Sequence, residues 1–187
     1  TGDMYITHPL ATSNNLADLH LDYQTLSAGL LHDVIEDCDV TYEDLLDEFG
    51  ADIAKLVLGV TKLTEVENVS EIRWEENIQT HSLLEAQTLR KMLMTVAEDV
   101  RVVLIKLSDR LHNMETVDPL PENRKIKFAK ETMEIYAPLA HRLGMWDFKW
   151  RLEDLSFRIL DPNMYKKVAK LINTKRKNRD DYIEKAA

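Results

Sequence analysis

The six residues His32-Asp33-Val34-Ile35-Glu36-Asp37 carry four groups able to bind a metal ion or move a proton. On a helix of about 3.6 residues per turn, Glu36 would stand one turn above His32, and Asp37 one turn above Asp33. Leu26, Ala28, Leu30 and Leu31 come just before them, which predicts a buried helix. Carboxylates taken out of water are unfavourable unless they are paired or meet a cation. A metal ion suits this stretch, and its remaining ligands must come from elsewhere in the chain. Asp109 is one source. Val100, Val103, Leu104, Leu107, Leu111 and Met114 form one apolar helical stripe, and Val102 and Ile105 form a second, which Asp109 continues. An ionised Asp on that line needs a positive neighbour: a cation, or, as is commoner for an isolated case, an Arg. Asn113 and Thr116 follow Asp109 on the same face. His8 stands before Pro9. The residue before proline avoids the α region and proline favours the first helical position, so His8 belongs at the mouth of a helix. Taken alone, it reads as a surface His.

The elements that must hold these groups are helical throughout. The His8 helix is expected to run to about residue 19, and Asp22 to cap a central helix reaching about residue 38. Thr41 with Asp44 makes a capping box for a short helix that Gly50 ends. Residues 52–63 form a helix with Ile53, Leu56, Val57 and Val60 on one stripe. The polar segment 64–81, rich in Glu, reads as a mobile loop or frayed helix, and 82–97 as helix again. The Asp109 helix covers 98–116, and a long helix over 122–143 is expected to kink at Pro138 and stop at Gly144. Helices over 145–160 and 163–185 complete the chain. The basic residues of the last, from Lys166 to Arg179, read as a solvated face.

Composition narrows the class. A chain of 187 residues can bury a substantial single core. Five Gly and five Pro favour long helices over turn-rich β structure. One cysteine, Cys38, rules out an internal disulfide and fits a reducing, cytoplasmic setting. No apolar run long enough to span a membrane and no signal peptide is present. A net charge of −9 argues against general nucleic-acid binding, but a metal and a few local cations can still draw a small anion. Residues 1–7 read as the end of something that begins upstream.

The motifs in order are His8-Pro9, then His32-Asp33, then Asp109 within Ser-Asp-Arg-Leu-His-Asn-Met. Together they resemble the signature of HD-domain hydrolases. More narrowly, the chain resembles the hydrolase domain of the Rel/Spo bifunctional enzymes, which make and degrade the alarmone (p)ppGpp. The resemblance is carried by Tyr5-Ile-Thr-His-Pro, Leu31-His-Asp-Val-Ile-Glu-Asp, Val60-Thr-Lys-Leu, Arg90-Lys-Met-Leu, the run from Glu98 to Met114, and Glu131-Thr-Met-Glu-Ile-Tyr-Ala-Pro-Leu-Ala-His-Arg-Leu-Gly.

That resemblance implies an all-α, HD-domain bundle of about eight to ten helices. It implies a hydrolase domain over 1–160, with 161–187 leading toward a linker and a synthetase domain. It implies Mn²⁺ held by His8, His32, Asp33 and Asp109, a donor set that suits Mn²⁺ among other divalent ions. Glu36 and Asp37 match the acidic pair that positions or deprotonates the attacking water. Asn113 and Thr116 match positions near the sugar and base of ppGpp or pppGpp. Arg90 and Lys91 are the expected holders of its diphosphates, although an exposed Arg-Lys pair is usually just surface. His112 and His141 are expected to serve as supporting hydrogen-bonders. Glu115 departs from the family, which commonly carries Arg there, and the family's basic stretch before the first His is absent. The implied reaction is hydrolysis of the 3′-diphosphate to pyrophosphate and GDP or GTP. The alternatives are an HD phosphohydrolase of another nucleotide and a catalytically silent regulatory module. Neither nucleic acid nor membrane is an expected partner.

Overall fold

A computed structural model describes residues 5–74, 90, 92 and 94–172, the side chains of 65–74 excepted. Among the described residues every regular element is a helix. Helix α1 spans Thr7–Asp18, α2 Tyr23–Leu31, α3 Val34–Asp37, α4 Tyr42–Phe49 and α5 Ala51–Trp74. Helix α6 spans Val100–Glu115, α7 Glu122–Glu131, α8 Ala137–Arg142 and α9 Trp146–Leu160. Helix α10 covers 162–172.

The capping chemistry places the starts. Asp22 accepts from the Thr25 backbone N–H at 2.8 Å and opens α2. Thr41 and Asp44 close both halves of the capping box on α4, and Gly50, at φ +83°, ends it. Asp99 caps α6 through the Arg101 N–H, and the Arg101 guanidinium lies between Asp99 and Asp22. One Arg thus joins the starts of the two helices that carry His32 and Asp109.

Helix α6 runs through the centre. Val102, Val103, Ile105, Leu107, Leu111 and Met114 are buried along it, and Val100 stays exposed at its first turn. Both apolar stripes read from the sequence therefore face protein, because α1, α2 and α5 pack on one side and α9 on the other. The core between them comes from Leu16, Ala28, Leu56, Val57 and Val60, and from Leu139, Phe148 and Leu152. Gly29 lets α1 lie close on α2: a Cβ there would stand 2.6 Å from Leu16 Cδ1.

Three elements differ from the sequence reading. Helix α5 continues to Trp74 instead of stopping near residue 63. The long helix over 122–143 is interrupted by a π-helical turn, Thr132–Tyr136, and Pro138 lies in the first turn of α8. The extra residue of a π turn absorbs the backbone irregularity ahead of the proline. Arg110 fastens this irregular piece to α6. It donates to Glu131 at 2.6 Å, to Thr132 Oγ1 and to the Phe128 carbonyl at 2.8 Å each, and stacks between the Phe128 and Tyr136 rings. Thirdly, the central helix is two helices, broken at His32–Asp33, and Leu30 lies on its outer side. The expected helices over 82–97 and 163–185 fall partly outside the described residues.

Candidate metal centre

The break at His32–Asp33 shapes the site. His32 closes α2 and Asp33, at φ −100° and ψ −4°, opens α3. An unbroken helix would splay the two side chains about 100° apart, given about 3.6 residues per turn. With the turn between them, His32 Nε2 comes 3.1 Å from Asp33 Oδ1.

His8, on the second residue of α1, points its Nε2 at the same place, 3.2 Å from His32 Nε2 and 3.5 Å from Asp33 Oδ2. Asp109 enters from α6, with Oδ1 3.3 Å from His8 Nε2 and 3.8 Å from His32 Nε2. Ligand atoms of His8, His32 and Asp109 all lie within 4.8 Å of one another, and Asp33 closes the group on the solvent side. The structure thus brings His8, His32, Asp33 and Asp109 together from three helices and one helix break.

The outer hydrogen bonds show what this arrangement can hold. His32 Nδ1 meets the Gly29 carbonyl at 2.8 Å, so that nitrogen carries the proton and Nε2 offers its lone pair. His8 Nδ1 meets His112 Nδ1 at 2.8 Å. With His112 as acceptor, His8 Nε2 also offers a lone pair. Two lone pairs 3.2 Å apart repel unless a proton or a metal ion stands between them. Burial would push His8 down, but Asp109 and Asp33 raise it to about 9. Burial likewise opposes charge on His32, and the same carboxylates raise it to about 10. Both aspartates are held below the usual carboxylate range despite burial; Asp33 by the two imidazoles, Asp109 by Lys106 and the same imidazoles. His112, desolvated and facing His8, is lowered, which suits a neutral acceptor. The pocket therefore selects for a cation, and its two imidazoles and two carboxylates fit a divalent metal of the first transition row.

Further polar groups complete it, Asn113 among them, which the sequence reading places near the sugar and base of the substrate. Lys106 Nζ donates to Asp109 Oδ2 at 3.2 Å, so the side-chain cation beside Asp109 is a Lys, where the alternative to a metal ion had been an Arg. Asn113 Nδ2 donates to Asp109 Oδ1 at 2.5 Å. The Tyr5 hydroxyl lies 2.8 Å from Asp33 Oδ2 and 2.9 Å from Asp37 Oδ2. The sequence signals were present in Lys106 three residues before Asp109 and Tyr5 three before His8, but many surface residues share such spacing.

Glu36 and Asp37 stand at the mouth, both exposed. Partial burial raises the Glu36 carboxyl, Thr64 and Lys106 act against it, and Asp33 and Asp37 add to it. Thr116 is exposed and donates its hydroxyl to the His112 carbonyl at 2.9 Å. Arg90 is exposed, and among the described residues no hydrogen bond or ion pair joins it to the cluster. Lys91 lies outside the described residues. His141 packs edge-on against Trp146 at 4.8 Å. Glu115 pairs with Arg151 of α9, so the acid at this position has an internal partner.

Comparison with known proteins places this geometry. The model of the HD domain family matches residues 1–146. The guanosine-3′,5′-bis(diphosphate) 3′-pyrophosphohydrolase of Aquifex aeolicus is 46% identical over 99% of this chain, which spans 25% of that protein. The bifunctional (p)ppGpp synthase/hydrolase SpoT of Escherichia coli K12 is 45% identical over 99% of the chain and 25% of its own length. The GTP pyrophosphokinase of Streptomyces coelicolor is 49% identical over 98% of the chain and 20% of its own length. The chain thus spans about a quarter or less of these relatives. A solved metazoan orthologue of SpoT, described as hydrolysing ppGpp, superposes with TM-score 0.54 at 25% identity, over 82% of this chain and 80% of that one.

Proposed function

We propose that this chain, which belongs to the HD domain family, is the part of a larger cytoplasmic enzyme that removes the 3′-diphosphate from ppGpp and pppGpp. The observation carrying this reading is the convergence of His8, His32, Asp33 and Asp109 on one point, with two imidazole nitrogens 3.2 Å apart that need a proton or a metal ion between them. Its relatives named as ppGpp hydrolases, matched along nearly the whole of this chain, supply the substrate class.

Mn²⁺ is the proposed ion. Bound at the four donors, it would serve as Lewis acid to a phosphate oxygen and lower the pKa of a bound water. The chain's own groups do the rest. Glu36 and Asp37 flank the water and take its proton; the raised Glu36 carboxyl suits a general base. The water oxygen bonds to the phosphorus next to the 3′ oxygen, the P–O3′ bond breaks, and the proton passes to the 3′ oxygen. Pyrophosphate and GDP or GTP leave. Asn113 and Thr116 are assigned to the sugar and base, and Arg90 and Lys91 to the diphosphates. A synthetase domain in the longer protein is the proposed neighbour of 161–187.

Purified full-length parent protein with Mn²⁺ and ppGpp should release pyrophosphate, and Glu36→Gln with Asp37→Asn should abolish release while Mn²⁺ still binds. Unchanged ppGpp from the metal-loaded protein overturns the reading.

A further inference from the structure

A carboxylate can offer a metal ion one oxygen or two, and the difference bears on which ions a site accepts. Ca²⁺ gathers about six to eight oxygen ligands at long range and is well served by bidentate carboxylates, whereas a smaller ion such as Mn²⁺ needs fewer donors held closer. The two oxygens of Asp109 are not equivalent. Oδ1 lies 3.3 Å from His8 Nε2 and 3.8 Å from His32 Nε2. It also accepts from Asn113 at 2.5 Å, which leaves one lone pair for an ion. Oδ2 accepts from the ammonium of Lys106, itself buried, at 3.2 Å. That ammonium is held from behind by α5, where it donates to Thr64 Oγ1 at 3.1 Å. The Thr64 hydroxyl donates its own proton to the Val60 carbonyl, 3.3 Å away, so its oxygen presents lone pairs to the ammonium. Breaking a buried charged contact is unfavourable, and the ammonium therefore stays at Oδ2.

We infer that Lys106 restricts Asp109 to a single metal-binding oxygen, Oδ1, and so makes the centre favour a small first-row ion over Ca²⁺. A divalent ion shared by both oxygens would have to stand close to the ammonium as well, and like charges repel strongly out of water. Held on the side of His8 and His32, the ion meets Oδ1 alone. Lys106 is thus a positioning residue, since it acts on the ion through Asp109 and touches no substrate. This inference rests on the reading of His8, His32, Asp33 and Asp109 as a metal centre, and it is independent of what the enzyme hydrolyses.

Mn²⁺ titrations of the full-length parent protein, read by electron paramagnetic resonance, give one dissociation constant, and Ca²⁺ competing against Mn²⁺ gives the other. Removing the ammonium strengthens binding of any divalent cation, and both ions carry the same charge, so the ratio of the two constants isolates the geometry. Lys106→Met frees Oδ2. The preference for Mn²⁺ over Ca²⁺ should then fall by about 10-fold or more, the scale on which outer hydrogen-bond partners tune metal affinity. Lys106→Gln keeps an N–H donor for Oδ2 without the charge, so both ions should bind tighter while the preference stays parental. A Lys106→Met protein with the parental preference, or a Lys106→Gln protein that loses as much of it as Lys106→Met, overturns the inference. A crystal structure of the Mn²⁺-loaded parent reads the same point without any variant. Oδ1 alone should lie within bonding distance of the ion, and coordination by both oxygens overturns the inference while leaving the metal centre standing. A parent that binds neither ion overturns the metal centre itself, and this inference with it.

Discussion

Asp109→Asn is the most informative single change, because the carboxylate it removes has two faces. Asp109 is 6% exposed, with Oδ1 turned to His8 and His32 and Oδ2 to the Lys106 ammonium, itself 8% exposed. The amide keeps the shape but not the charge, so a buried ammonium loses the carboxylate beside it. Breaking a buried pair in this way destabilises by about 3–5 kcal/mol. The Asn oxygen can still accept one hydrogen bond, which puts the expectation at the lower end. For a domain of this size each kcal/mol lowers Tm by about 2–4 °C, so the metal-free protein should melt roughly 6–12 °C lower. Calorimetry in a chelator measures this, and a Mn²⁺ titration measures the other face, where affinity should fall sharply. The double variant Asp109→Asn/Lys106→Met separates the two. Replacing a whole buried pair by well-packed apolar groups is often close to neutral, so most of the lost Tm should return while metal binding does not. An Asp109→Asn protein that melts like the parent in chelator, or a double variant that binds Mn²⁺ like the parent, refutes the assignment of Asp109 to both partners.

Three further outcomes follow from the same geometry. Metal binding near pH 7 should release at least one proton, because His8 and His32 are raised to about 9 and 10 in the metal-free pocket. Calorimetric titrations in two buffers of different ionisation enthalpy count that proton; none released would contradict the arrangement. Since these pKa values lie above the unfolded 6.5, the metal-free protein has the full His contribution to stability below that pH. That contribution is lost as pH rises through about 9 to 10, and melts in chelator from pH 6 to 10 should show the decline. Tyr5→Phe removes the hydroxyl shared by Asp33 and Asp37 and should lower kcat by about tenfold with little change in Tm, as steady-state assays and melts will read. Gly59→Ala places a Cβ 2.8 Å from Val102 Cγ2 where α5 meets α6, and should destabilise by about 1–3 kcal/mol in urea unfolding.

Much of this molecule was legible in the order of its residues. Helical periodicity, few Gly and Pro, and local caps at Asp22, Thr41 and Gly50 depend on neighbours within a few positions, so they read directly. The identities of His8, His32, Asp33 and Asp109 were legible for a different reason: their chemistry is conspicuous, and their order matched a known family. Their mutual geometry was not. An unbroken helix was the local expectation at His32, and tertiary packing imposed the break that turns His32 and Asp33 onto one point. The positive partner of Asp109 was open between a metal and an Arg, and the fold supplied Lys106 as well as the imidazoles. Thr64 carries no mark in the sequence, and Tyr5 and His112 were legible only as parts of motifs shared with a known family, because a hydroxyl or a ring becomes part of a site only when a residue far along the chain is folded against it. Local rules act over one or two helical turns, whereas His8 and His112 meet across 104 positions, a distance only the packing of α1 on α6 closes.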